Sequence, residues 1–285
     1  MSDGFLLSAW PGLSGLWPLF ILALVTALAA VVNSVAGGGT ILTFPVLAAI
    51  LPAGPTQLIT ANATSTIGLW PGAILAAWAY RGERTGQSLW TRWLLVPSVA
   101  GALCGSVLLI LVPAHWFDTL VPWLILTAAI LFAIQPRIAR FTASRCGIEA
   151  APPSGGLAMA CGLQFLVAVY GGYFGAGIGI LMLAMLGSFQ IGDIHKVNAV
   201  KNVLGMLING TAALFFAVGS LIPLAGFSDA YSVSWLHVAI MAASAALGGW
   251  AGSILARRLP ANIVRQAVAL IGFALAGYYF LIPEG

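Results

Sequence analysis

Charge is what this sequence has least of. Of its 285 residues, 6% are charged and 61% are hydrophobic, with a mean hydropathy of +1.03. A water-soluble domain carries roughly 25% charged residues, so this chain cannot cover a soluble surface. Acidic residues are scarcer still, at 7 against 11 basic ones. None lies deep in a long apolar run, which argues against a carboxylate proton relay or a sodium site there. The net charge of +4 comes from basic residues in short loops between apolar runs. It is not the basic face of a nucleic-acid binder, and no nucleic-acid partner is expected. The cysteines, Cys104, Cys146 and Cys161, form no CxxC pair and no ligand cluster. They read as small apolar packing residues. No GxxxxGK[ST] motif occurs, so an ATPase of that type is excluded. With no metal cluster and no Cys/His pair in an apolar run, neither an enzyme nor a cofactor is expected. The start, MSDGFLLSAW, has no basic n-region and no clear cleavage site, so no removable signal peptide is expected.

What the chain has instead is long apolar runs, several near the ~20 residues that cross a bilayer core as helix. They fall at Leu16–Ser34, Ile41–Leu51, Leu58–Tyr80, Trp93–Val112 and Trp116–Ile134. A second set follows at Gly156–Val169, Ile180–Gly187, Val197–Val218, Trp235–Ala256 and Ile263–Ile282. Each set opens with a helix, a glycine-rich break (VAGGGT, then YGGYFGAGIG) and a short run. The two short runs would reach only about 16 and 12 Å as helix, too little for a core of about 30 Å.

Basic residues discriminate between topologies. If each broken pair is a hairpin returning to its starting side, Arg81, Arg84, Arg92, Arg137, Arg140, Arg145, Lys196, Arg257, Arg258 and Arg265 all face one side. Asp3, Asp118, Asp229 and Glu284 then face the other. The positive-inside tendency selects that arrangement, with basic loops cytoplasmic and both termini outside. If each pair were one continuous span, Arg257, Arg258 and Arg265 would lie outside. Trp10, Trp17, Trp90 and Trp93 read as interface anchors.

The halves are related. Ala36-Gly37-Gly38 corresponds to Gly175-Ala176-Gly177, and Ile41-Leu42 to Ile180-Leu181. Ser65, Gly68 and Gly72 correspond to Asn202, Gly205 and Asn209; Gly101 and Gly105 correspond to Gly248 and Gly252. An odd number of segments per half makes this an inverted repeat, as in secondary transporters. The expected fold is an all-α polytopic membrane protein of about ten segments. Each half is a broken or re-entrant helical hairpin plus three transmembrane helices. The first repeat covers residues 1–136, a basic cytoplasmic linker covers 137–153, and the inverted second repeat covers 154–285. The Gly-xxx-Gly pairs read as close helix packing.

Two polar features converge inside the apolar runs. The first is the pair of breaks, with Gly38, Gly39 and Thr40 in one half and Gly175, Gly177 and Gly179 in the other. A short helix that starts at such a break presents backbone N–H groups and a positive dipole end, which suits an anion. The plainer reading is a glycine kink for packing. The second feature is a stripe on the following helix. Asn198, Lys201, Asn202, Gly205 and Asn209 share one face by spacing, and Asn62, Thr64 and Ser65 hold the corresponding region of the first half. Lys201 is the one charge well inside a segment. It serves either a bound anion or, by snorkelling, the headgroups. Asn62-Ala-Thr64 and Asn209-Gly-Thr211 match glycosylation sequons, which a membrane location discounts. His195 reads as an interfacial side chain or a proton relay; His115 and His237 read as surface groups.

VAGGGTILTFPVL at 35–47 followed by ANATSTIG at 61–68 resembles the first-half signature of the sulfite exporter TauE/SafE family. GAGIGILMLAML at 175–186 followed by NAVKN at 198–202 is similar to its second-half counterpart. The resemblance covers nearly the whole chain. It implies secondary transport of a small anionic partner, sulfite or an organosulfonate, usually outward across the bacterial inner membrane. The family motifs point to Gly38, Gly39, Thr64 and Ser65 in the first half and to Gly175, Gly177 and Gly179 in the second. The chain departs from internal symmetry at Pro45, where Ala184 stands opposite, and at Lys201-Asn202, which replaces a Thr-Ser pair. Proton coupling is expected, and a passive anion channel is the alternative to a carrier.

Overall fold

The computed structural model describes residues 16–79, 89–145, 154–189, 194–222, 231–255 and 261–281. Several residues named above lie outside them: Asp3, Trp10, Arg81, Arg84, Cys146, Asp229, Arg257, Arg258 and Glu284. The described residues form ten helices and no strand. In chain order these are α1 (Trp17–Ala36), α2 (Thr40–Ile50), α3 (Gln57–Ala79), α4 (Leu89–Leu111) and α5 (Ala114–Arg145). The second set is α6 (Ser154–Tyr173), α7 (Ile178–Gly187), α8 (Ile194–Leu221), α9 (Trp235–Leu255) and α10 (Ala261–Leu281). Each expected segment corresponds to one helix. One boundary is corrected: α5 continues through Pro136 to Arg145, so the first part of the expected linker is helical. Pro136 removes one ladder hydrogen bond, yet the helix runs on past it.

Six helices (α1, α4, α5, α6, α8 and α9) are long and apolar enough to cross a membrane, while α2 and α7 are too short. By contrast α3 is long, with 23 residues, but is not among those six. Its polar residues explain this. Leu58 through Ser65 are buried on every side of the helix, so Thr60, Asn62, Thr64 and Ser65 face protein. A helical stretch buried all round needs no lipid-compatible surface; the later part of α3 does expose Ile74 and Trp78. Exposed Leu, Phe and Trp side chains instead line the outer helices, including Phe20, Leu24 and Leu28 on α1. Trp17 and Trp93 are exposed as expected of anchors. Trp90 is corrected: it is 1% exposed and packs against Phe189, with ring centroids 5.7 Å apart.

The helices pair in a regular way. α4 packs on α6 and α8, and α9 packs on α1 and α3. The two central helices α3 and α8 pack on each other, as do α5 and α10. Glycine makes the closest pairs. A methyl group on Gly105 would overlap the Val169 carbonyl oxygen of α6, and one on Gly248 would overlap the Ala27 carbonyl oxygen of α1. Backbones therefore touch at both places, as small-residue spacing allows. Aromatic rings fill the space beside the second break. Phe44, Phe117 and Phe174 are essentially unexposed, with Phe44 set edge-on to Phe174 at 5.4 Å.

Gly105→Leu is expected to destabilise the α4–α6 pair by about 1–3 kcal/mol or more. Gly162, which meets nothing within 4 Å, serves as control, and Gly162→Ala should leave the detergent-solubilised melting temperature unreduced.

Candidate substrate site at the crossing of two helix breaks

The two glycine breaks meet. Gly37 ends α1 with φ 71°, and Gly175 and Gly177 precede α7 with φ 82° and 80°. These left-handed angles favour glycine. Contact between the breaks requires it independently at two places. A Cβ on Gly37 would come 2.6 Å from Gly179 Cα, and one on Gly38 would come 2.7 Å from Gly177 N. The crossing is tied by a backbone bond in which the Gly179 N–H donates to the Gly37 carbonyl at 3.2 Å.

Backbone groups freed by a break in apolar surroundings need partners. The Gly37 N–H donates to the Asn33 carbonyl at 2.9 Å, and the Gly38 N–H to the Asn33 side-chain Oδ1 at 2.9 Å. Across the other break the Tyr170 hydroxyl donates to the Ala176 carbonyl at 2.7 Å, and the Gly175 N–H to the Tyr170 carbonyl at 3.2 Å. The N–H groups of Gly38 and Gly179 are thus engaged within the protein.

Beside the crossing lies a small cavity. α1 contributes Asn33 and its terminal Gly37, and α3 contributes Ala73 and Ala76. α7 contributes Ile178, Gly179 and Met182; α8 contributes Lys201, Asn202, Gly205, Met206 and Asn209. Its volume of about 20 Å³ admits roughly one water. Lys201 is 3% exposed. The Asn202 Nδ2 is buried without a hydrogen-bond partner among the described residues. Among the described residues no carboxylate lines this space. One cation, three side-chain amides and several apolar walls can hold an anion. No metal-type cluster occurs among the described residues.

Of the residues singled out in the sequence, Lys201, Asn202 and Gly179 come together on the cavity wall, with Gly205 and Asn209 of the same stripe. Asn198, one turn nearer the start of α8, is not on that wall. The first-half residues gather elsewhere along α3. The Ser65 and Thr43 hydroxyls share a buried hydrogen bond of 2.7 Å. Thr64 is fully buried and accepts the Ser234 N–H at 3.3 Å. Asn62 donates to the Tyr173 carbonyl at 2.9 Å. Thr40 is buried at the start of α2, where the Gly39 carbonyl accepts the Leu42 N–H at 3.0 Å. The Gly177 carbonyl accepts the Ile180 N–H at 3.0 Å.

Residues 231–234 close that end of α3. The Ser232 N–H donates to Thr60 Oγ1 at 3.2 Å, beside the Ser234–Thr64 bond. Tyr231 donates to the Phe216 carbonyl at 2.9 Å. Burial pushes the Tyr231 phenol up to about 12, so it stays a neutral donor at physiological pH. Ser234 in turn bonds His237 Nδ1 at 2.6 Å; His115 and His195 are exposed. Sequence reasoning missed Asn33, Met182 and Met206. Asn33 left a signal, since it stands one helical turn before the first break, where a polar side chain reaches the freed N–H groups.

Helices of spanning length wrapped around a buried polar crossing define the class as a polytopic α-helical membrane protein. Its family follows from comparison. Residues 22–279 match the family described as Sulfite exporter TauE/SafE, and the chain belongs to that family of membrane transporters. It is 26% identical over 266 residues to a probable membrane transporter protein, ORF9, of Sinorhizobium sp, covering 90% of this chain and 89% of that protein. It is 26% identical to the probable membrane transporter protein YfcA of Escherichia coli K12, covering 90% and 88%. A probable membrane transporter protein of Haemophilus influenzae is 23% identical, covering 90% and 92%. No solved structure matches the chain.

The Thr43–Ser65 bond carries its own test. Ser65→Ala leaves a buried Thr43 hydroxyl with one partner fewer and should cost about 1–3 kcal/mol in detergent unfolding. Adding Thr43→Val should recover part of that loss, because both polar partners are then gone.

Proposed function

We propose that the protein is a secondary transporter of a small sulfur-containing oxyanion, sulfite or an organosulfonate. It exports this substrate by alternating access and in step with protons. The observation that carries this reading is Lys201. It is 3% exposed and lines a cavity together with the side-chain amides of Asn33, Asn202 and Asn209. An ionisable side chain buried within a membrane helix is rare and marks a functional site by default. Membership of the family supports sulfite or a sulfonate as the anion.

The architecture proposed with it is two inverted repeats of five helices. Shifting each packing pair by five supports this: α4 with α6 becomes α9 with α1, and α3 with α9 becomes α8 with α4. The basic loops face the cytoplasm of a bacterial inner membrane, the termini face outside, and the two broken pairs are hairpins. In that orientation the cavity lies toward the cytoplasmic ends of α3 and α8. The outer end of α3 is closed by the Ser232 and Ser234 bonds. A space of about 20 Å³ holds a water rather than a four-atom oxyanion. Substrate entry then widens the inner side, and release requires the 231–234 segment to part from α3.

Purified protein in proteoliposomes should take up labelled sulfite or methanesulfonate, with uptake accelerated by unlabelled substrate on the opposite side. Lys201→Ala should cut that uptake by about tenfold or more, the worth of a hydrogen bond to a charged group. Unchanged transport in this variant removes lysine from the mechanism, and uptake without acceleration by opposite-side substrate marks a channel.

A further inference from the structure

Asn33 belongs to both the crossing and the cavity, and its geometry fixes what it can offer there. A side-chain amide has an acceptor end and a donor end. A backbone N–H bonds only to the oxygen. The Gly38 N–H donates to Asn33 Oδ1 at 2.9 Å, so the amide cannot turn over without breaking that bond. The Asn33 NH2 is thereby held away from Gly38. Asn33 lines the cavity that also holds Lys201 and Asn202. There the Asn202 Nδ2 is already a buried donor with no partner among the described residues.

We propose that Asn33 is an anion ligand whose donor end is selected by the first glycine break. Its NH2, the Asn202 NH2 and the Lys201 ammonium form a donor set from two helices for one oxyanion head. This rests on the reading of the cavity as an oxyanion site. It also makes α1 part of the substrate site, so the break in α1 and the charge on α8 act on the same ligand. A donor set of this kind favours a fully ionised head group, because a protonated oxygen needs an acceptor. Asn33→Asp separates this role from simple capping. The carboxylate still accepts the Gly38 N–H, but it turns an acceptor with negative charge toward the cavity.

The test is saturable binding of sulfite and of methanesulfonate to the full chain in detergent, alongside the melting temperature. Asn33→Asp should weaken both ligands by about tenfold or more, with melting close to the wild-type value. Asn33→Ser, which removes the NH2 without adding charge, should weaken them by a smaller but clear factor and keeps the test open if the aspartate variant fails to fold. Affinities within about twofold of wild type in a folded Asn33 variant, while Lys201→Ala loses binding, would overturn the role of Asn33 and leave the lysine site standing. A wild-type protein that binds neither ligand would overturn both.

Discussion

Inside a bilayer a helix cannot stop without satisfying the groups it releases, since each unpaired N–H or carbonyl costs several kcal/mol there. This chain stops two helices side by side and lets each stop complete the other. The Gly179 N–H reaches the Gly37 carbonyl, and the backbones approach so closely that a single methyl group at Gly37 or Gly38 would collide with the opposite break. The side chains of Asn33 and Tyr170 bridge the remainder. The rest of the structure depends on this crossing. It sets where α2 and α7 begin, and it places α3 and α8 against each other as the two helices that flank it.

Once the crossing is fixed, polar residues on α3 and α8 become affordable because neither helix turns its polar face to lipid. The two helices use that freedom differently. On α3 the hydroxyls of Thr60, Thr64 and Ser65 are engaged in bonds to the 231–234 segment and to Thr43 of α2. On α8 Lys201 and Asn202 line a cavity instead. The polar groups that the sequence sets at corresponding positions of α3 and α8 therefore have different surroundings. One end of the central helix pair is closed by hydrogen bonds, and the other holds a water-sized space beside a buried cation.

Much of this was legible in the residues. Each helix follows from an apolar run, and the six of spanning length follow from the length rule that a bilayer imposes. Both breaks follow from glycine clusters, and the lysine stands out as a charge without a loop. Other parts were not legible. The helical continuation beyond Pro136 depends on flanking residues that overcome one missing bond. Trp90 has the sequence look of an interface anchor but is covered by Phe189. The partners of Thr64 and Ser65 lie 170 and 22 residues away along the chain, and spacing carries no record of such contacts. Asn33 escaped notice because one asparagine in an apolar helix has no periodic companion; its meaning comes from the break one turn later.

The central claim is that the buried lysine beside the crossing holds the transported anion. A structure determined by crystallography or cryo-electron microscopy with methanesulfonate bound tests it most directly. The account places the sulfonate oxygens within hydrogen-bond distance of Lys201 Nζ, in a cavity wider than the about 20 Å³ seen here. Ligand density away from Lys201, such as among Thr60 and Thr64 at the other end of α3, would contradict it.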